Sequence, residues 1–336
     1  MRHCALAAFL LMTVLFLTHC QTVPVKPTLT VAVKEVKTIA AHDDSIMSLD
    51  FSHDGKWLVS GSLDKTIKVW QFKSSRLMYT LSGHQNWINR IALSPDKQWI
   101  VSGSGGIDDT ARIWDAPQRK LRYQLKGHKT SVSAVVFSPN GQQVATGSWD
   151  KTIKIWHTET GKLLHTFAGH KDSVWALAYT SDGKRLISGG WDEVIKVWDM
   201  QTLKLIDTLK GQKGSIMAMA LSSDDKKLVV GSGGTENNIK IWQLDTGSIL
   251  HTLIGHKHTV MAVAFSPDGQ LVASGSGGKG QNLNIWDVRT GSLLQSPQTH
   301  ASAVMALAFS PDGRYLTSSG DDKMIHVYQL SVNNYQ

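Results

Sequence analysis

Cysteine is nearly absent from this chain: its 336 residues hold two, Cys4 and Cys20. Beyond residue 20 no thiol remains, so the folded region can contain no disulfide. Proline is also scarce, at 8 residues. Charged residues make up 18%, and neither sign gathers into a block. The formal net charge of +8 comes from scattered residues, with no basic stripe interleaved with aromatics, so nucleic-acid binding is not expected. An apolar content of 41% argues against a disordered chain. What the sequence does have is glycine, 29 residues of it, recurring in short clusters such as "GSGG" between short apolar runs. That pattern points to strands and tight turns.

The first residues differ from the rest. In "MRHCALAAFLLMTVLFLTHC" a basic tip at Arg2 precedes an uncharged apolar run from Ala5 to Thr18. The run is short for a bilayer span and suits the apolar core of a secretory signal. A short membrane anchor or a misplaced start are the alternatives. "LTHC" before Gln21 resembles a bacterial lipoprotein signal, which implies lipidation of Cys20, although His19 stands where that class carries a small residue. Simple cleavage after Cys20 is the other outcome. Residues 1–20 are thus expected to be a signal peptide and 21–33 a short tether in which Pro24 and Pro27 discourage helix. The chain is expected to be exported, periplasmic or membrane-anchored, or cytoplasmic if the segment is no working signal.

After the tether the sequence repeats. His42, His84, His128, His170, Gln212, His256 and His300 open comparable units, at steps of 42, 44, 42, 42, 44 and 44 residues. Self-similarity at such a period marks a repeat architecture. Within a unit, "SVWALAYTSDGKRLISGGWDEVIKVWD" reads as strand, Asp-Gly turn, strand, turn, strand, with apolar residues alternating as in half-buried strands. "KLLHTF" supplies a fourth strand.

The recurring "GH", "SPDG" and "DxxIKxW" resemble the WD-repeat family, over about residues 34–330. The resemblance implies an all-β, seven-bladed β-propeller of four-stranded blades. "KEVKTIAAH" looks like a fourth strand with no blade before it, and the last unit ends at "MIHVYQL" without one. The N-terminal strand is therefore expected to pair in the last blade and close the ring, removing free edges. Residues 331–336 are left as a tail.

A His, Ser and Asp in fixed order could suggest a hydrolase triad. The resemblance assigns them instead to a buried network in which Asp orients His, His reaches Ser or Thr, and the hydroxyl meets an indole N–H. The implied sets are His42–Ser60–Asp64–Trp70, His84–Ser102–Asp108–Trp114, His128–Thr146–Asp150–Trp156 and His170–Ser188–Asp192–Trp198. The fifth unit has Gln212, Val230, Glu236 and Trp242; the sixth has His256, Ser274 and Trp286 but Gly280 for the Asp; the seventh has His300, Ser318 and Asp322 with Tyr328 for the Trp. Units five and six are therefore expected to be the softer part. "GSGGTEN" lacks the Gly-Lys-Ser/Thr of a phosphate loop and reads as a turn.

Of the 12 tryptophans, six end third strands, and Trp57 and Trp99 begin second strands. Trp87, Trp149, Trp175 and Trp191 remain, at positions that in the resembled family line the partner-docking face. Met47, Met217, Met261 and Met305 hold equivalent places. Aromatic and thioether side chains make adaptable contact surfaces; paving of the channel wall is the bland reading. The expected function is a protein-binding scaffold, monomeric by itself, docking a protein or peptide and using no catalytic residue, metal or cofactor. The alternative is a hydrolase-like propeller enzyme with a channel site, which needs converging acids and histidines beyond the network.

Overall fold

The computed structural model describes residues 29–234, 236–278, 282–297 and 300–334. The expected signal segment, Cys20 and Gly280 lie outside the described residues. The chain forms seven four-stranded antiparallel sheets, each ordered as the sequence runs except the last. In the fourth, Val174–Tyr179, Arg185–Gly190, Ile195–Asp199 and Lys204–Leu209 pair in succession.

The Asp-Gly turn shows why these residues form hairpins. Gly183 adopts φ 69°, a conformation that favours glycine. The Asp182 carboxylate accepts from the Thr180 hydroxyl at 2.7 Å and from the Lys184 amide at 2.9 Å. Local bonds thereby fix the register before any long-range packing.

Each core cluster spans two neighbouring blades. Val174 and Trp198 of the fourth blade pack with Ile155 and Phe167 of the third. Ala306 and Ile325 of the seventh pack with Ile46, Leu58 and Trp70 of the first. No blade buries its apolar faces alone, so stability is a property of the closed ring.

Closure is made by the N-terminal strand. Leu29–Ala40 pairs antiparallel with Met324–Asn334 and occupies the outer edge of the last sheet. The pairing runs past the expected bounds at both ends: Leu29 faces Asn334 and Val33 faces Leu330. Residues 29–33 are thus strand and not tether, and 331–334 are not tail. Alternation explains the extension, because Val31 is buried against the seventh-blade core while Leu29, Val33 and Val332 pack beside it.

Candidate functional site

The four complete polar networks close at short distances. In the fourth blade Asp192 lies 2.9 Å from His170 Nδ1, His170 Nε2 lies 2.7 Å from Ser188 Oγ, and Trp198 Nε1 donates to that oxygen at 2.8 Å. The same contacts join His42, Ser60, Asp64 and Trp70, with 2.8, 2.7 and 3.0 Å. They join His84, Ser102, Asp108 and Trp114, with 2.8, 2.6 and 2.8 Å. In the third blade Thr146 replaces serine, at 2.8 Å from His128 and 2.9 Å from Trp156, and Asp150 lies 2.8 Å from His128. Burial works against the charge of Asp64, but hydrogen bonds from His42 and Thr66 hold its carboxyl well below the usual range. The serine and threonine hydroxyls of these networks are fully buried, and each is bonded to both a histidine and an indole.

The departures leave orphans. In the fifth blade both side-chain polar atoms of Gln212, and Trp242 Nε1, are buried without a partner. His256 keeps Ser274 at 2.7 Å, but its Nδ1 has none, and burial pushes its pKa down to about 4.

The tryptophans outside the network have another geometry. Trp149 follows Gln143–Ser148 and Trp191 follows Arg185–Gly190, so they occupy equivalent turns of adjacent blades. Their amides are anchored alike, Trp149 on the Ser131 carbonyl at 3.0 Å and Trp191 on that of Ser173 at 2.9 Å. Trp175, on the first strand of the fourth blade, fits between them. Its ring centroid lies 5.7 Å from that of Trp149 and 5.5 Å from that of Trp191, and those two lie 6.0 Å apart. A column would put its end rings about twice as far apart as neighbours. Nearly equal spacings with planes 21–35° apart instead describe a triangular patch. Trp149 is 38% exposed, Trp191 39%, and Trp175 is half-buried beneath them. Lys151, two residues after Trp149, donates its Nζ to the Lys171 carbonyl of the next blade at 3.0 Å.

Trp87 is 41% exposed but stands apart from this triangle, its indole lying against Gly105. The methionines do not form an exposed rim: Met217 is buried, and Met47, Met261 and Met305 are half-buried. These methionines and Trp175 hold the same place on the first strands of their blades.

A central cavity of about 290 Å³ is lined mainly by Ala, Val, Leu and Ile from the first strands. Its charged lining residues are Asp50 and Arg90. Asp50 is half-buried in the cavity wall, where desolvation raises its pKa to about 6, and its carboxylate accepts from the Leu93 amide at 2.8 Å. An acid bonded to the neighbouring blade's backbone acts as a fastener between blades.

Sequence reasoning missed His326. Its Nδ1 lies 2.7 Å from Glu35 of the closing strand and its Nε2 3.3 Å from Asp322. The available signal was positional, since the corresponding residues are Lys68, Arg112, Lys154, Lys196, Lys240 and Asn284.

The family profile described as WD domain, G-beta repeat matches seven segments: residues 33–71, 75–115, 119–157, 161–199, 203–243, 247–287 and 291–329. Among curated proteins, WD repeat and SOCS box-containing protein 1 of Homo sapiens is 39% identical over 71 residues, 20% of this chain and 17% of that protein. Nuclear distribution protein PAC1 of Coccidioides posadasii (strain C735) is 31% identical over 78 residues, 21% of this chain and 17% of that protein. U5 small nuclear ribonucleoprotein 40 kDa protein of Pongo abelii is 36% identical over 62 residues, 18% of this chain and 17% of that protein. The chain thus matches about a sixth of the length of each of these relatives.

Proposed function

The chain belongs to the WD-repeat family, and from that premise we propose that it is a non-catalytic scaffold that docks a protein partner on the face carrying Trp149, Trp175 and Trp191. The observation that carries the reading is the exposed indole triangle. Solvent-facing aromatic area held rigid by its own stacking binds at little entropic cost. In the four complete networks the repeated polar residues are buried and bonded to one another, which favours a structural role for them. The names of the relatives, with their SOCS box and ribonucleoprotein assemblies, accord with a role in complexes.

Crosslinking and affinity capture from native extract test this. Capture by the native chain should be lost when the three indoles are replaced together, and retained when Trp57 is. Equal capture by both variants would refute the assigned face.

The reading extends to export. The apolar run from Ala5 to Thr18 behind Arg2 supports a signal segment, with Cys20 the candidate for lipidation. Intact mass of protein taken from native membranes decides it: acylated Cys20 supports an anchor, a first residue at Gln21 supports export alone, and an uncleaved Met1 refutes cleavage.

A further inference from the structure

The seventh blade departs from the other complete blades at two positions, and both departures meet at one point. Where four sister blades carry lysine and one arginine, it carries His326; where six carry tryptophan, it carries Tyr328. His300 Nδ1 lies 2.7 Å and His326 Nε2 3.3 Å from the same carboxylate oxygen, Oδ2 of Asp322. The two imidazole centroids are 4.2 Å apart, and the three donor atoms lie within 4.8 Å of one another. His300 is fully buried, while the Asp322 side chain is 15% exposed and opens the cluster to solvent.

The tryptophan decides which nitrogen of the histidine carries its proton. In the fourth blade Trp198 Nε1–H donates to Ser188 Oγ at 2.8 Å, and the hydroxyl proton is directed to His170 Nε2. That leaves Nδ1–H facing Asp192, a closed chain with no lone pair to spare. In the seventh blade Ser318 Oγ lies 3.4 Å from the Tyr328 hydroxyl, a longer contact in which either oxygen can donate. Because a tyrosine hydroxyl can accept where an indole cannot, Ser318 Oγ, 2.6 Å from His300 Nε2, can accept Nε2–H once Nδ1, now 2.7 Å from Asp322, turns its lone pair to a metal.

We propose that His300 Nδ1, His326 Nε2 and the Asp322 carboxylate bind one divalent transition-metal ion of the zinc class, with water as a fourth ligand. Two imidazoles and one carboxylate suit zinc and its neighbours over calcium or magnesium. Tetrahedral bonds of about 2.0–2.2 Å put donor atoms roughly 3.3–3.5 Å apart, so the 2.7 Å contact opens by less than an ångström on binding. Each imidazole already has an outer partner, Ser318 for His300 and Glu35 for His326, the latter at 2.7 Å and itself fixed by Thr38 at 2.7 Å. Such partners orient metal-binding imidazoles. Binding needs neutral imidazoles whose ligating nitrogens carry no proton, and the two carboxylates balance the ion's charge. The role is structural: through Glu35 the ion fastens the closing strand to the last blade.

The test uses the full chain, stripped with chelator, then titrated with Zn²⁺ and with Co²⁺ by calorimetry, visible absorption and thermal melts. One ion should bind per chain, raising the melting temperature by about 5 °C at a hundredfold excess over Kd, and Co²⁺ should show the ligand-field bands of a four-coordinate site. Mg²⁺ should do neither. His326→Lys restores the sister-blade residue and should stay folded while losing at least tenfold in affinity. Should that variant fail to fold, Tyr328→Trp carries the test, because it restores the tautomer of the other blades and should weaken Zn²⁺ binding tenfold with no loss of metal-free stability. Binding and melting shifts equal to those of the native chain in the folded variants, or no binding by the native chain, would overturn the site.

Discussion

Trp198 donates its indole proton to Ser188 at 2.8 Å, while Trp242, at the same place in the next blade, has no acceptor. One ring therefore contains closed and broken versions of one network. Replacing Asp192 with Ala strips His170 Nδ1 and the Lys171 amide, which lie 2.9 and 2.8 Å from it, of their acceptor. The loss should be about 1–3 kcal/mol. Glu236 holds the corresponding place in the fifth blade but is a third exposed, accepting from the Asn238 side-chain amide at 2.9 Å and pairing with Lys213 and Lys240 at 3.8 and 3.6 Å. Glu236→Ala should cost clearly less, since its ion pairs are solvent-screened. Urea melts of the two variants decide between them, and equal losses would contradict the distinction.

The orphans of the fifth blade predict a repair. Val230 pairs with Lys240 as Ser188 pairs with Lys196, so its side chain stands where the hydroxyl belongs. Val230→Thr supplies an oxygen to Trp242 Nε1 and Gln212 without changing side-chain volume. Stability should hold or rise by about 1 kcal/mol, whereas Val229→Thr, among apolar neighbours, should lose about 1–3 kcal/mol. Denaturant midpoints of the pair measure this directly, and equal losses would count against it.

His256 predicts a pH dependence. Burial without an acid partner holds its pKa near 4, below the ordinary 6.5. Above pH 6.5 the ring is neutral in both folded and unfolded chains, and its contribution is complete. Between 6.5 and 4 the unfolded chain takes up a proton that the folded one refuses, so stability falls as pH falls. The loss amounts to roughly 3 kcal/mol once pH drops below 4. In His256→Gln this part of the slope disappears, and the stability gap to the native chain should narrow from pH 7 to 4. Parallel curves would show that the ring is solvated.

Much of this was legible because the repeat is redundant. A period read from His42, His84 and their successors fixes blade number and strand order without any single position mattering. What was not legible occurs once. The pairing of Leu29 with Asn334 has no counterpart in the other blades, so periodicity could not reveal it. Met217 shares a position with Trp175, yet the smaller side chain is buried and the larger half-buried. Residue type alone does not tell which occurs. The indole triangle needed distances: adjacent turns place Trp149 and Trp191 on one sector, but only geometry shows that Trp87 lies outside it.

Ring closure gives the next prediction. Deleting the chain through residue 40 removes the partner of Met324–Asn334 and uncovers an unpaired edge. The truncated protein should aggregate on refolding and lose its cooperative melt, while deletion through residue 28 should leave both unchanged. Light scattering during refolding distinguishes them. A soluble, monomeric protein lacking residues 29–40 would mean that the strand is dispensable.

The indole triangle separates binding from stability in one series. Trp149 and Trp191 are more than a third exposed, so truncating either removes modest buried area and should cost under about 1 kcal/mol of stability. If the patch anchors a partner, each change should weaken binding by about 2 kcal/mol or more. Trp175 is half-buried between the other two and couples both effects, since its loss unstacks both neighbours. Trp156 and Trp198 are buried and bonded to Thr146 and Ser188, so their replacement by Ala should cost about 3–5 kcal/mol of stability. Binding should suffer there only through the unfolded fraction, and should recover on cooling. Paired melts and affinity measurements therefore place each tryptophan on one of two lines. Trp149→Ala and Trp191→Ala falling on the stability line, with affinity intact for every captured partner, would make the triangle a packing feature and remove the docking face.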